Sequence, residues 1–151
     1  MGFILNRHHK MNVIIYIDGG SRGNPGMAGA GVVILDRETS QPLVEVGYFL
    51  GRMTNNAAEY HGLIRALEAA DRIGANRLDI RSDSQLMVRQ VTGQYRVKSD
   101  GLRPLYERVK RLLTGFDDWR MTHVYRESNQ RADQLANQAM DARADVAMTQ
   151  L

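Results

Sequence analysis

Residues 13–31 read VIIYIDGGSRGNPGMAGAG, and this stretch decides how the rest of the chain can fold. The β-branched run at residues 13–17 predicts a buried strand that ends in a turn. Residues 19–29 contain five glycines and one proline, which is a composition typical of turns. A second strand is predicted at residues 30–35 and a third at residues 42–50. Because the connections are short, the three strands are expected to form an antiparallel meander.

The apolar residues after the meander recur every three or four positions, which is the spacing of amphipathic helices. These patterns predict further elements in chain order: a long helix at residues 56–73 closed by Gly74, a strand at 77–81, a short helix at 85–91 closed by Gly93, a helix that starts near residues 100–103 and is closed by Gly115, a strand at 118–125, and a last helix capped by Ser128 or Asn129. The order β-β-β-α-β-α-α-β-α predicts an α/β fold, with a mixed five-stranded sheet and helices packed on it.

The length of 151 residues fits one domain with a substantial core, but not two. We expect residues 1–11 to form a flexible N-terminal extension, residues 12–142 the domain, and residues 143–151 a C-terminal tail. No apolar run approaches the ~18 residues of a membrane-spanning helix, so we expect no membrane partner. The chain has no cysteine, which excludes a disulfide scaffold, a thiol nucleophile and zinc held by cysteine. It is compatible with the cytoplasm, where we expect the protein to act.

The charge of the chain is mildly positive, because 20 Lys and Arg residues face 17 Asp and Glu residues for a formal net charge of +3. Such an excess is only a weak indication of an anionic partner. Part of it lies in residues 96–111, which hold six basic and two acidic residues. A stretch of this kind is typical either of a solvated helix face or of a surface that contacts phosphate groups.

Four carboxylates lie at predicted junctions between elements. They are Asp18 at the end of the first strand, Glu59 in the first turns of the long helix, Asp83 after the fourth strand, and Asp133 in the first turn of the last helix. Each alone fits a local role, such as a turn residue, a helix cap or a favourable charge at a helix N-terminus. Together they are expected to converge, because strand ends and helix N-termini gather at one rim of an α/β fold. Four bare anions would repel one another, so this oxygen-only set favours Mg²⁺ or Mn²⁺ over Zn²⁺.

Four sequence motifs surround these carboxylates in order: IDGGSRGNPGMAGAG at residues 17–31, TNNAAEY at 54–60, RSDSQLMVRQ at 81–90 and RESNQRADQLANQAM at 126–140. Together they closely resemble ribonuclease H type 1, in its bacterial ribonuclease HI form. The resemblance runs from about residue 12 to residue 141. Any one motif would be weak, but four in order on the predicted junctions are highly specific.

The resemblance implies an endoribonuclease that hydrolyses the RNA strand of RNA–DNA hybrids with two Mg²⁺ ions, or with Mn²⁺ in their place. It assigns metal binding and catalysis to Asp18, Glu59, Asp83 and Asp133, with Asp18 bridging both ions. The products would carry a 5′-phosphate and a 3′-hydroxyl. We expect a monomer that acts on the hybrid, with double-stranded RNA as a further candidate substrate.

The same resemblance implies a substrate-binding surface of small, amide and hydroxyl side chains, which suit the ribose 2′-hydroxyl that distinguishes RNA from DNA. The residues assigned to it are Gly20, Ser21, Asn24, Thr54, Asn55, Asn56, Ser84, Gln85, Tyr95 and Arg126. For Tyr95, a half-buried position in the core is an equal alternative to a contact with the DNA strand.

The chain departs from the family in the loop before Asp133, where many members carry a mobile histidine. Here the loop is shortened to residues 126–128, and Arg126 and Glu127 are the candidates for the histidine's role. His123 is the histidine nearest to this loop, and we interpret it as a residue of the fifth strand.

Two other functions are weighed against the enzyme. A non-catalytic module that binds hybrids or other nucleic acids could use the same basic surface, but such a module is expected to have lost an acidic ligand, and none of the four is missing. Another nuclease on the same fold is the second alternative, and the motifs at residues 54–60 and 126–140 favour type 1 ribonuclease H over it.

Overall fold

The computed structural model describes residues 10–149 of the chain. The elements in chain order are β1 (Asn12–Gly23), β2 (Gly26–Asp36), β3 (Pro42–Met53), α1 (Asn55–Arg72), β4 (Arg77–Ser82), α2 (Gln85–Val91), α3 (Arg103–Leu113), β5 (Asp118–His123), a 3-10 helix (Arg126–Asn129), α4 (Gln130–Ala142) and β6 (Val146–Thr149). The strands form one sheet in the order β5-β4-β1-β2-β3-β6. β2 is antiparallel to β1 and β3, whereas β4 is parallel to β1 and to β5, which confirms the mixed α/β sheet.

The glycine-rich stretch is part of the sheet, so the turn predicted for residues 19–29 is wrong for most of its length. β1 and β2 pair from Val13 opposite Asp36 to Gly23 opposite Gly26. Asp18 therefore lies within β1, opposite Gly31, and not at the end of a strand. The two long strands form a hairpin whose tip is residues 24–25.

Helix packing explains why glycine is needed inside these strands. A Cβ atom added to Gly19 would lie 2.5 Å from the carbonyl oxygen of Ala58 in α1. One added to Gly31 would lie 1.8 Å from the carbonyl oxygen of Ala132 in α4. Helices therefore rest directly on the strand backbone, and this close approach brings the carboxylates of α1 and α4 to β1.

The sheet separates two packed layers, because alternate residues of a strand point to opposite faces. Val32 and Ile34 of β2 belong to the main core, which also contains Leu63 and Leu67 of α1. Val33, between them, packs instead with residues of α4 in a smaller cluster. α1, α2 and α3 contribute to the main core on one face. α4 covers β1, β2 and β3 on the other face.

The sheet has a sixth strand, so the prediction of five strands was one short. β6 pairs antiparallel with β3 and lies within residues 143–151, which were predicted as a tail. The Asp145 carboxylate accepts a hydrogen bond from the backbone N–H of Phe49, 2.8 Å away, at the start of this pairing.

The predicted N-terminal extension lies mostly outside the described residues, but its last two residues belong to the fold. The backbone N–H of Met11 donates to Oδ1 of Asn76 at 2.8 Å. Lys10 forms an ion pair with Asp117 at 2.7 Å. Across residues 10–149 no helix combines the length and the apolar character that crossing a membrane requires.

Candidate active site

The four predicted carboxylates line one open cleft of about 680 Å³ at the end of the sheet where β4 stops. Asp18 comes from the middle of β1, and Glu59 comes from the second turn of α1, which Thr54 caps by accepting from Ala57 N–H. Asp83 directly follows β4. Asp133 lies in the first turn of α4. The convergence predicted from the sequence is therefore present, although Asp18 reaches the cleft from inside a strand.

Three of these carboxylates form a tight group. One oxygen from each of Asp18, Glu59 and Asp83 lies within 4.8 Å of the other two. Asp133 lines the same cleft, and its carboxyl group acts on Asp18 by raising the pKa of that residue. Glu59 is only 6% exposed, and the backbone N–H of Gly19 donates to its Oε1 at 2.8 Å. The shared position of Asp18 makes it the centre of the group.

The electrostatics of the cleft oppose the ionisation of these groups. Burial, followed by the charges of Glu59 and Asp83, raises the pKa of Asp18 to about 9. Burial and the charge of Asp83 raise the pKa of Glu59 to about 8, although the hydrogen bond from Gly19 lowers it. No lysine or arginine within residues 10–149 forms an ion pair with any of the four carboxylates.

Such a group fits divalent cations. A carboxylate cluster without a cationic side chain must either hold protons or be neutralised from outside the chain. The donors here are all carboxylate oxygens, which are hard ligands of the kind that Mg²⁺ and Mn²⁺ prefer.

Comparison with known proteins identifies the family. The model of the reverse transcriptase-like family matches residues 16–139. Ribonuclease HI of Halobacterium salinarum is 49% identical over 126 residues, which are 83% of this chain and 63% of that protein. Ribonuclease H of Paracidovorax citrulli is 35% identical over 145 residues, which cover 85% of this chain and 94% of that protein. The chain belongs to the ribonuclease H family.

The structure of one family member contains nucleic acid. LC11-RNase H1, solved in complex with an RNA/DNA hybrid, superposes with a TM-score of 0.82 at 41% identity, covering 87% of this chain and 98% of that one. The present chain spans less than two thirds of the length of the halobacterial ribonuclease HI.

Six of the substrate-binding residues predicted from the family resemblance line the carboxylate cleft. They are Gly20, Ser21, Asn55, Ser84, Gln85 and Arg126. Asn55 Oδ1 accepts from the backbone N–H of Ser21 at 3.2 Å, which ties α1 to β1 beside the cleft. The Ser21 hydroxyl contacts the backbone carbonyls of Gly23 and Met53. Ser84 caps α2 by accepting from the backbone N–H of Met87.

The remaining predicted substrate residues lie outside the cleft lining. Asn24 Oδ1 accepts from the backbone N–H of Asn55 at 3.0 Å, so it joins the hairpin tip to α1. Thr54 acts as the α1 cap, and Asn56 is exposed on the first turn of that helix. Tyr95 is 47% exposed, and the Arg89 guanidinium lies over its ring, 5.1 Å from the ring centroid.

Tyr95 lies in a second groove of about 600 Å³ together with Arg96 and Arg103. This groove contains part of the basic stretch 96–111, at the start of α3. The candidate contact with the DNA strand is thus next to cationic side chains, and separate from the carboxylates.

His123 and Tyr125 are among the cleft residues that the sequence did not predict as part of the site. His123 is the last residue of β5, as expected of a strand residue, but it also lines the cleft. Its ring packs edge-to-face on Tyr125, with 5.6 Å between centroids. Tyr125 is 75% exposed. His123 ends β5, and Tyr125 lies two residues beyond it. Because β5 is parallel to β4, the strand before Asp83, the ends of both strands lie at the same edge of the sheet, and this is the signal that could have indicated both residues.

Arg22 and Asn137, two further residues of the cleft lining, are joined by a hydrogen bond. The Arg22 guanidinium donates to Oδ1 of Asn137 at 3.1 Å, and Nδ2 of Asn137 donates to the carbonyl oxygen of Asp133 at 3.0 Å. Arg22 also pairs with Asp141 at 2.8 Å. These contacts join the β1 end of the hairpin to α4, the helix that carries Asp133.

Proposed function

We propose that the chain is an endoribonuclease that hydrolyses the RNA strand of RNA–DNA hybrids, leaving a 5′-phosphate and a 3′-hydroxyl. The observation that carries this proposal is the group of Asp18, Glu59 and Asp83, joined by Asp133, in a chain of the ribonuclease H family. All four acidic side chains are present in one cleft. This argues against a module that only binds nucleic acid.

The carboxylates would hold two Mg²⁺ ions, or Mn²⁺ in their place, and these ions supply the charge that activates water and stabilises the leaving 3′ oxygen. Asp18, whose pKa responds to all three of the other carboxylates, would be the central ligand of the site. The Gly19 N–H fixes the orientation of Glu59. Because the pKa values of Asp18 and Glu59 are raised, these two groups would have to release their protons in order to serve as ligands.

The polar wall of the cleft supports selection of the ribose strand. Ser21, Asn55 and Gln85 bring hydroxyl and amide groups beside the carboxylates, and such groups can exchange hydrogen bonds with a 2′-hydroxyl. The DNA strand would run toward Tyr95 and the basic residues of stretch 96–111, whose contacts with phosphate carry no sequence information. Binding is therefore expected to weaken steeply with salt.

Arg126 is our candidate for the role of the family's loop histidine. Arg126 and its neighbour Glu127 are both exposed in the 3-10 helix, but only Arg126 is part of the cleft lining. Arg126→Ala is expected to lower kcat by about tenfold, and Glu127→Ala, as the matched control, by less than about twofold. The reverse ranking would assign the role to Glu127.

The same proposal includes the oligomeric state, the location in the cell and a second candidate substrate. We expect a monomer that acts in the cytoplasm. Double-stranded RNA is a secondary substrate candidate, because its A-form shallow groove also presents 2′-hydroxyls.

A substrate panel tests the proposal. A labelled RNA–DNA hybrid, double-stranded RNA and duplex DNA with a single ribonucleotide are incubated with Mg²⁺ or Mn²⁺, and Asp18→Asn serves as the control. We expect cleavage of the RNA strand of the hybrid that the substitution abolishes. Binding of the hybrid without cleavage under either metal would support the non-catalytic module instead. Equal cleavage by Asp18→Asn would contradict the assignment of the site.

A further inference from the structure

Asn129 is a buried residue that the mechanism above does not use. It is the last residue of the 3-10 helix, directly before α4, and it is 2% exposed. The sequence predicted it as a candidate helix cap, but its side chain makes no capping hydrogen bond. Its Nδ2 instead donates to the backbone carbonyl oxygen of Ile17 at 2.7 Å, across 112 positions of sequence.

This hydrogen bond joins the two elements that carry Asp18 and Asp133. Ile17 precedes Asp18, so its carbonyl belongs to the peptide unit that leads into Asp18. Ile17 is also the last β1 residue paired with β4, opposite Ser82. The amide of Asn129 therefore holds the β1 backbone where the parallel ladder stops. Four residues further along, α4 presents Asp133.

The other half of the same amide has no partner. Oδ1 of Asn129 is buried and accepts no hydrogen bond within the described part of the chain. A buried acceptor without a partner lowers the free energy of unfolding. Leucine has nearly the same branched shape without polar atoms, so it removes the buried acceptor and also the bond to the Ile17 carbonyl, and these two effects on the free energy of unfolding oppose each other. The bond that Asn129 donates to Ile17 is therefore the contact that can explain an amide at this buried position.

We propose that Asn129 is a positioning residue, which holds the peptide before Asp18 against the start of α4 so that Asp18 and Asp133 adjoin for binding of divalent cations. Its effect on cleavage rests on the proposed function. Its effect on cation binding does not, since it can be measured with the metal alone.

A matched control lies on β1, the strand that contains Ile17. Asn12, the first residue of β1, also has a buried Oδ1 with no partner among residues 10–149. It lines a separate cavity with Arg37 and Trp119, away from the carboxylate cleft. Replacing Asn12 with leucine thus removes the same kind of acceptor without touching the link between Ile17 and α4.

The experiment compares Asn129→Leu, Asn129→Ala and Asn12→Leu with the parent in the full chain. Calorimetric titration with Mn²⁺ gives the dissociation constant, thermal unfolding of the metal-free protein gives Tm, and hybrid cleavage at saturating metal gives kcat and KM. We expect Asn129→Leu to keep its Tm within about 5 °C of the parent, to weaken Mn²⁺ binding by about tenfold or more, and to lower kcat by a similar factor with KM within about twofold. Asn12→Leu should change neither Mn²⁺ affinity nor kcat.

Unchanged Mn²⁺ affinity in Asn129→Leu would overturn the proposal, and so would equal losses in Asn129→Leu and Asn12→Leu. If Asn129→Leu lowers Tm strongly, the same comparison is made with Asn129→Ala below its Tm, where retained Mn²⁺ affinity again overturns the proposal. A parent that binds Mn²⁺ but does not cleave the hybrid would contradict the proposed function, and the titration would still decide the role of Asn129.

Discussion

Two buried carboxylates in this molecule have opposite surroundings. Asp79 on β4 is 8% exposed, and Glu59 in the cleft is 6% exposed. The Asp79 carboxylate accepts from Arg37 at 2.8 Å and from Arg81 at 3.1 Å. Burial raises the pKa of Asp79, but these two hydrogen bonds, together with the charges of Arg81 and Arg120, outweigh burial and hold the pKa below its usual value.

Glu59 has no such partner, and its pKa is raised to about 8. The chain is rich in arginine, yet none pairs with the cleft group within residues 10–149. The buried charge of Asp79 is balanced by two arginines of the same chain. The cleft carboxylates have no such partner in the described residues, and we expect a divalent cation from solution to balance their charge.

The largest effect separates the two carboxylate sites by activity. Asp18→Asn removes the group that adjoins the other three acids, so hybrid cleavage should fall by about 1,000-fold or more. Asp79→Asn, the same change in the arginine-paired site, should leave kcat of the folded protein within about twofold. Initial rates under saturating metal measure both. Similar losses in the two variants would break the distinction between the sites.

For the free energy of unfolding, Asp79→Asn should be the more harmful of the two substitutions. Asp79→Asn weakens two charge-assisted hydrogen bonds, so we expect the free energy of unfolding to fall by about 2 kcal/mol. Asp18→Asn replaces a buried carboxyl group that must take up a proton on folding with a neutral amide, and should raise the free energy of unfolding of the metal-free protein by about 1 kcal/mol. Urea denaturation in the presence of a chelator measures both changes. A lower free energy of unfolding in Asp18→Asn would contradict the view that the Asp18 carboxyl group destabilises the metal-free protein.

The pH dependence of the two sites should also have opposite signs. The folded metal-free protein holds protons on Asp18 and Glu59 up to about pH 8 to 9, whereas the unfolded chain releases them near pH 4. Their stabilising contribution is therefore complete below about pH 4 and is lost as the pH rises to about 9. The lowered pKa of Asp79 gives a contribution that is present above about pH 4 and lost on acidification.

Denaturation of the metal-free protein at about pH 2, 3, 5, 7 and 9 measures these slopes. Asp18→Asn should flatten the loss on the alkaline side, and Asp79→Asn should reduce the loss on the acid side. An alkaline loss of equal size in Asp18→Asn and in the parent would mean that other groups cause it.

The smallest expected effect concerns the exposed rim of the cleft. Tyr125→Ala removes the exposed ring beside His123, so we expect KM for the hybrid to rise by about fivefold with kcat unchanged. Met148 on β6 is a matched control, because it is an exposed apolar residue away from the cleft. Met148→Ala should leave both constants unchanged. A change in kcat rather than KM would place Tyr125 nearer to the reacting atoms.

The sequence predicted the element order and the four carboxylates because both depend on local patterns. It misplaced Asp18 relative to the strand, since glycine ordinarily indicates a turn. In this chain, glycine at positions 19 and 31 instead accommodates helix backbones that come from distant sequence. β6 was missed because a strand of four residues has too short a pattern, and only its pairing with β3 defines it.

In the cleft lining, too, local sequence patterns did not predict the contacts of the side chains. His123 was correctly predicted as a strand residue, but its position beside Asp83 depends on β5 pairing in parallel with β4, with His123 opposite Ser82. Asn129 carries the residue type of a helix cap, yet its amide binds the backbone before Asp18. Local sequence therefore identifies the chemistry of these side chains, and long-range pairing decides their contacts.

The most direct test of the account is calorimetric titration of the parent, Asp18→Asn and Asp79→Asn with Mn²⁺ at neutral pH. We expect the parent and Asp79→Asn to bind the ion with similar affinity and to release protons as they do so, whereas binding to Asp18→Asn should be severely weakened. Equal Mn²⁺ binding by all three proteins would contradict the claim that the unpaired carboxylates of the cleft are the metal site.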